Sequence, residues 1–255
     1  MSIDETARRA WDAAGAGSYD RGRPGYAPGA LGWLVREGVL GPGRRVVDVG
    51  AGTGKLTRQL MLARARVVGV EPLPAMRALL PRWLAVGGVA EALPVVSGWA
   101  ELVTVAQAIH WFRPAEAAAE FARVLQPRGW LALLWNDEAN ESDWPDLDKR
   151  LEELLAAHGI VTPPDREDGW WQAEFDAAGL FSPWEEREFR HSVEATLDSL
   201  VDQLGSYSRL AAQPGELREQ VLREAAALIG AHPVMGGRRK ALVPYRTTLM
   251  TCTRR

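Results

Sequence analysis

Twelve residues constrain this chain more than any other stretch: Val46-Val47-Asp48-Val49-Gly50-Ala51-Gly52-Thr53-Gly54-Lys55-Leu56-Thr57. The branched apolar run at Val46–Val49 reads as a buried strand, and a helical pattern follows from Lys55 to Arg64. Between them, glycines at alternate positions remove the Cβ atoms that would hold a ligand off the backbone. The helix start adds N–H donors and the positive end of a dipole. Strand, glycine turn and helix in that order are the opening of a βαβ unit, and the pattern repeats downstream. Further strands read at Val67–Glu71, Val86–Ala90, Leu102–Ala106 and Trp130–Trp135. A helix opened by Pro72 and Pro74 carries Met76, Leu79, Leu80 and Trp83 on one face, and another spans Pro114–Leu125. Beyond Trp135 the pattern changes: helices read at Asp146–His158, Asp168–Ala178 and Leu197–Ile229, the last broken near Pro214, with strands at Glu185–Val193 and Tyr245–Thr253.

Three nucleotide-site readings compete for the glycine loop. A phosphate-binding P-loop needs Gly-x4-Gly-Lys-[Ser/Thr]. Gly54-Lys55 fits, but Val49 and Leu56 stand where the first glycine and the hydroxyl belong. A dinucleotide fingerprint needs its third glycine three residues after the second, and counting from Gly52 that position is Lys55. What remains is an acid-x-Gly-x-Gly-x-Gly loop. Asp48 sits two residues before Gly50, where a carboxylate orients an ammonium through the loop. Glu71 ends the second strand, where an acid accepts both hydroxyls of a ribose.

This loop resembles that of the class I methyltransferases that use S-adenosylmethionine (SAM). Three further stretches are similar to a small-molecule branch that includes trans-aconitate methyltransferases: Tyr19-Asp20-Arg21-Gly22-Arg23-Pro24-Gly25-Tyr26, Ala90-Glu91-Ala92-Leu93-Pro94, and Ala106-Gln107-Ala108-Ile109-His110-Trp111-Phe112. The resemblance covers about Tyr19 to Trp135 well, extends to Pro244-Tyr245-Arg246-Thr247, and is loose from Asn136 to Gly237. It implies a Rossmann-like α/β fold: a seven-stranded, mostly parallel sheet with helices on both faces and a helical lid inserted before the last strand. Residues 1–43 would be a helical preamble covering the cofactor site, 44–136 the SAM-binding core, and 137–255 the substrate lid with the last two strands, one structural domain in all.

The resemblance also implies roles. Tyr19 and Arg23 would approach the methionine end of SAM, with Arg23 a partner for its carboxylate. Asp48, Gly50, Ala51, Gly52, Thr53 and Gly54 would form the cofactor loop, and Glu71 would hold the ribose. Pro72 and Met76 would pack on the adenine, and Ala90 and Glu91 would read its edge. Gln107 and His110 would border the transferred methyl, with His110 a base or an orienting group. Tyr26, Trp111, Asn136 and Tyr207 are the candidate acceptor contacts. Leu200, Leu204, Tyr207 and Leu210 give the lid one apolar face.

Composition narrows the partners. With 30 Lys+Arg against 33 Asp+Glu, the net charge is −3, which argues against a binder dominated by nucleic-acid phosphates. The single Cys252 excludes an internal disulfide or a Cys-based zinc site, and no His/Asp/Glu cluster has ligand spacing, so no metal is expected. No apolar run has the length of a membrane span, and Met1–Trp11 lacks a signal-peptide core. The expectation is a cytoplasmic methyltransferase acting on a small organic molecule of specialised metabolism by in-line displacement, with S-adenosylhomocysteine (SAH) as product and no nucleic-acid or membrane partner. A carboxylate O-methyltransferase of the trans-aconitate type, a nucleic-acid or protein methyltransferase, and a non-catalytic SAM-fold binding protein remain open as alternatives. The 11 Trp outnumber the 5 Phe and 4 Tyr together, and Trp111 heads those expected to wall an acceptor pocket.

Overall fold

The computed structural model describes residues 13–138, 144–161 and 170–255. Seven strands form one sheet: β1 (Arg45–Val49), β2 (Arg66–Val70), β3 (Ala85–Val86), β4 (Ala100–Ala106), β5 (Leu125–Glu138), β6 (Glu185–Ala195) and β7 (Ala241–Thr253). Their order is β3-β2-β1-β4-β5-β7-β6, and the pairs from β3 through β5 are all parallel. The order reverses between β1 and β4, which run side by side with Val46 opposite Leu102 and Val49 opposite Val105. At such a switch point an open α/β sheet leaves a crevice beyond its strand ends. The Rossmann-like α/β expectation therefore holds.

The helices are α1 (Ala13–Gly22), α2 (Pro28–Arg36), α3 (Lys55–Leu62), α4 (Pro74–Arg77), α5 (Pro114–Val124), α6 (Trp144–Ala157), α7 (Trp170–Ala177), α8 (Leu197–Gly205), α9 (Ser208–Ala211) and α10 (Gly215–Ala231). Proline opens α2, α4 and α5, where the missing N–H costs nothing. Thr196 caps α8 in a reciprocal box with Ser199.

By internal contacts the chain divides into two compact units. One comprises residues 1–24, 138–165 and 191–245; the other comprises 25–137, 166–190 and 246–255. The first has a helical core in which Trp144, Leu147, Leu200, Ile229 and Tyr245 pack together, and the Trp144 indole N–H donates to the Leu242 carbonyl at 3.2 Å. In the second, one cluster packs β1, β4 and β5 against α5 and α7 through Val47, Val103, Phe121, Leu133 and Phe175. Another packs α2 and α3 through Leu31, Leu34 and Leu60.

Three expectations are corrected. The helix after Pro74 is a single turn: Met76 and Leu80 are buried, but Leu79 is 41% and Trp83 79% exposed, so the two do not share a packed face with them. Val86–Ala90 is not a strand; only Ala85 and Val86 pair with β2, and Val89 bridges Ala92 locally. The fifth strand begins five residues earlier than Trp130, because Leu125 already pairs with Ala100 before the ladder shifts register around Arg128 and Gly129. Trp11 and the first two residues of the helix expected from Asp168 lie outside the described residues. Of the other tryptophans, Trp135 stacks on Trp171 at 6.0 Å and 22°, and Trp171 meets Trp184 edge-on at 5.6 Å, so this group packs α7 against the sheet.

Candidate active site

The glycine loop leaves β1 after Val49 and folds back on β2. The amides of Gly50 and Ala51 both donate to the Val70 carbonyl, at 2.9 and 3.1 Å, and Gly54 N closes a turn on the Ala51 carbonyl at 2.8 Å before capping α3. Gly50 and Gly52 have φ of +65° and +57°, the left-handed region that favours glycine. Their surroundings differ. A Cβ on Gly50 would lie 2.7 Å from the Ala108 Cβ, so the protein itself fills that space. A Cβ on Gly52 would meet only the Met76 Cε at 3.6 Å and the Gly50 carbonyl oxygen at 4.0 Å. Beyond that backbone conformation, no neighbouring atom requires the second glycine to be bare of a side chain, and the room beside it suits a ligand lying against the backbone.

Glu71 follows β2 and is 5% exposed. One carboxylate oxygen accepts from the Gly52 amide and the other from the Leu73 amide, each at 2.8 Å. Burial raises its pKa, opposed by the two amides and by Arg77. A carboxylate has about four acceptor sites. With one amide on each oxygen, Glu71 keeps capacity for two further donors, the number a ribose diol supplies. Met76 is buried beside the loop, Pro72 half-buried and Ala90 buried. Glu91 accepts from the Arg113 amide at 2.8 Å through one oxygen, which leaves the other for a ligand edge. These residues fit an adenosyl group: bare backbone, an acid with spare acceptors, and apolar contacts.

Asp48 has a different task. It is 1% exposed, and its two oxygens accept from the Thr104 hydroxyl at 2.9 Å and the Thr57 hydroxyl at 2.5 Å. Burial pushes its pKa up to about 6, against the stabilising hydroxyls. The acid thus braces the first turn of α3 to β4 behind the loop. Sequence reasoning picked Asp48 but missed Thr57 and Thr104. Their signal was a hydroxyl residue in a helix start and another in an otherwise apolar strand. Within the same loop, the Thr53 hydroxyl is fully buried and has no hydrogen-bond partner among the described residues.

The ends of β4 and β5 form the next part. Gln107 has φ +52°, its amide donates to the Leu134 carbonyl at 3.0 Å, and its side chain donates to the Asn136 carbonyl at 2.9 Å. His110 and Trp111 lie on a short 3-10 turn, Ile109–Trp111, with ring centroids 5.0 Å apart. Trp111 is 40% exposed. Tyr26 and Asn136, expected as acceptor contacts, are tied into the scaffold. Tyr26 is buried in the α2–α3 cluster, and the Asn136 side chain donates to the Gly25 carbonyl at 2.9 Å and accepts from the Thr247 hydroxyl. Of their partners, Gln59 gave no sequence signal, and Thr247 lay in the Pro244–Thr247 stretch of the resemblance without a role assigned to it.

Tyr19, Arg23 and Tyr207 come together in the helical unit. The Arg23 guanidinium lies 4.8 Å from the Tyr207 ring centroid and 5.7 Å from that of Tyr19, and its Nε donates to the Ser206 hydroxyl at 2.8 Å. Cation–π contact on both rings fixes the guanidinium's plane. Among the described residues no group of three or more His, Cys, Asp or Glu is placed to hold a metal ion, and no helix is long and apolar enough to cross a membrane.

The fold and this loop define the class I methyltransferases, and comparison with known proteins agrees. Residues 47–133 match the family model described as a methyltransferase domain. An uncharacterized methyltransferase of Mycobacterium tuberculosis is 36% identical over 245 residues, covering 93% of each chain. One from Schizosaccharomyces pombe is 28% identical over 211 residues, covering 81% of this chain and 80% of the other. Among solved structures, a provisionally assigned type II methyltransferase from Anaeromyxobacter dehalogenans superposes with a TM-score of 0.64 at 21% identity, over 91% of this chain and 97% of that one. A phosphoethanolamine N-methyltransferase of Haemonchus contortus, in complex with SAM, gives a TM-score of 0.56 at 14% identity, over 100% of this chain and 60% of that one. The chain belongs to the methyltransferase family, and within it to the SAM-dependent class I enzymes.

Proposed function

We propose that the protein transfers a methyl group from SAM to a small organic acceptor at the ends of β4 and β5. The observation that carries the cofactor assignment is Glu71. A buried carboxylate with one backbone amide on each oxygen sits beside the bare face of Gly52, ready for a diol. When bound, the cofactor supplies an electrophilic methyl on a positively charged sulfur. The protein's own work is to align and to exclude water, which supplies several kcal/mol by proximity alone. Glu71, through its spare acceptor sites, and the bare backbone face at Gly52 would hold the nucleoside. Asp48, bonded to Thr57 and Thr104, fixes the loop from behind.

Small size of the acceptor is supported by the stretch Ala106 to Trp111, which stands where nucleic-acid amino-methyltransferases carry an Asn/Asp-Pro-Pro-aromatic run, and by the acidic charge balance. His110 and Trp111 border the acceptor. Trp111 offers an aromatic wall, and His110 orients the acceptor or takes its proton where the acceptor carries one. A carboxylate acceptor would need no base; a phenol or an amine would use His110.

The test is a mass-spectrometric screen of purified protein with SAM against a panel of small carboxylates, phenols and amines. A product heavier by one methylene, formed with SAH, supports the proposal. Methylation of oligonucleotides or proteins alone would overturn the small-acceptor reading.

A further inference from the structure

The segment Gly25-Tyr26-Ala27 opens the second unit and belongs to no helix or strand. Its backbone groups are nevertheless satisfied, by side chains from three different elements. Gln59 on α3 accepts from the Tyr26 amide at 2.9 Å and donates to the Tyr26 carbonyl at 2.8 Å. Thr247 on β7 accepts from the Ala27 amide at 2.9 Å. Asn136 on β5 donates to the Gly25 carbonyl at 2.9 Å, and its side-chain oxygen accepts from the same Thr247 hydroxyl. Thr247 is fully buried and Ala27 1% exposed, so water offers these groups no alternative partner.

The network reaches the reactive edge through Asn136. The Gln107 side chain donates to the Asn136 carbonyl, and Gln107 occupies a left-handed conformation that a non-glycine residue holds only when its surroundings impose it. At its other end, Gln59 lies on the helix that starts from the glycine loop. One strap therefore ties the cofactor-loop helix to the strand end that carries Gln107.

We propose that Asn136, Thr247 and Gln59 are positioning residues: they fix the strap, and through it the relation of the glycine-loop helix to Gln107, in the geometry that binds SAM. This rests on the SAM-site reading given above. Thr247 is the pivot, because one hydroxyl serves both the Ala27 amide and the Asn136 side chain. Thr247→Val keeps the shape and removes both bonds, whereas Thr247→Ser keeps the hydroxyl.

The experiment is calorimetric titration of the full-length protein with SAH, paired with hydrogen exchange of the peptide containing residues 25–27, at a temperature well below the melting transition of every variant. For Thr247→Val, exchange of the strap is expected to quicken at least tenfold and SAH affinity to fall at least tenfold. Thr247→Ser is expected to restore both to within about threefold of wild type. Gln59→Glu, which keeps the acceptor for the Tyr26 amide and loses the donor to its carbonyl, gives the same test if Thr247→Val fails to fold. Faster exchange with unchanged SAH affinity, or failure of Thr247→Ser to rescue, would overturn the proposal. Absence of SAH binding by the wild-type protein would instead overturn the cofactor reading, so the two failures are distinct.

Discussion

Substituting the two left-handed glycines of the loop separates what the fold needs from what the ligand needs. Placing alanine in the left-handed region costs about 1–2 kcal/mol at either position. At Gly52 little is added, because the new Cβ meets the Met76 Cε at an ordinary 3.6 Å. At Gly50 the Cβ would fall 2.7 Å from the Ala108 Cβ and 3.2 Å from the Phe112 ring, and overpacking of that kind adds about 1–3 kcal/mol. With roughly 2–4 °C per kcal/mol in a chain of this size, Gly52→Ala is expected to lower Tm by about 2–8 °C, and Gly50→Ala by clearly more. Ligand affinity should rank the other way. If the nucleoside lies against Gly52, the added methyl is an overpacking contact of about 1–3 kcal/mol on binding, a loss of about 5–150-fold in SAH affinity. Differential scanning calorimetry and isothermal titration with SAH on both variants give the answer. Gly52→Ala with SAH affinity within twofold of wild type would refute the placement of the ligand, and Gly50→Ala melting above Gly52→Ala would refute the packing argument.

Asp48 makes stability pH-dependent in a direction unusual for a carboxylate. Its folded pKa, about 6, lies above the unfolded value near 3.8, so its contribution is fully present below about pH 3.8 and is lost as pH rises through 6. The two values correspond to about 3 kcal/mol. Urea unfolding of wild type and Asp48→Asn between pH 4 and 7 should show their difference changing by that order, and parallel curves would contradict the burial argument. Thr57→Val removes one of the two hydroxyls on Asp48 and is expected to cost about 1–3 kcal/mol in urea unfolding at pH 7, with no cost if the brace is unimportant. Trp171→Ala should cost about 3–5 kcal/mol because the ring is buried among Trp135, Phe175 and Trp184, whereas Trp83→Ala, at a residue 79% exposed, should stay within about 0.5 kcal/mol; equal effects would undo the corrected placement. His110→Ala should lower kcat at least tenfold with SAH affinity within threefold, and full turnover at every pH would reduce His110 to packing.

The strand–loop–helix unit was legible because its determinants are local: a branched apolar run, alternate glycines, and a helix start within twelve residues. Glu71 was legible for the same reason, as an acid at a strand end. Legibility failed where a residue's partner is distant in sequence. Asn136 looked like a strand-end residue free for substrate, yet its side chain serves Gly25 and Thr247, each 111 residues away. Tyr26 read as an acceptor contact and is a core residue, its backbone held by Gln59 thirty-three positions on. Failures of extent have another cause. Leu79 and Trp83 supply helical periodicity, but the helix stops after one turn, short of Pro81, and leaves both exposed. Leu125 pairs with β4 ahead of a register shift that no alternation of apolar residues announces. The tryptophan excess, for which composition allowed either a core or a pocket, includes Trp135, Trp170, Trp171 and Trp184 packed around α7 and Trp144 in the helical core, while Trp111 stands 40% exposed beyond the end of β4.

The central claim is that Glu71 and the glycine loop hold the nucleoside of SAM. Isothermal titration of wild type and Glu71→Ala with SAH tests it directly. Two charge-assisted hydrogen bonds lost together predict that the variant binds at least a hundredfold more weakly while remaining folded. No SAH binding by the wild-type protein, or equal binding by Glu71→Ala, would contradict it.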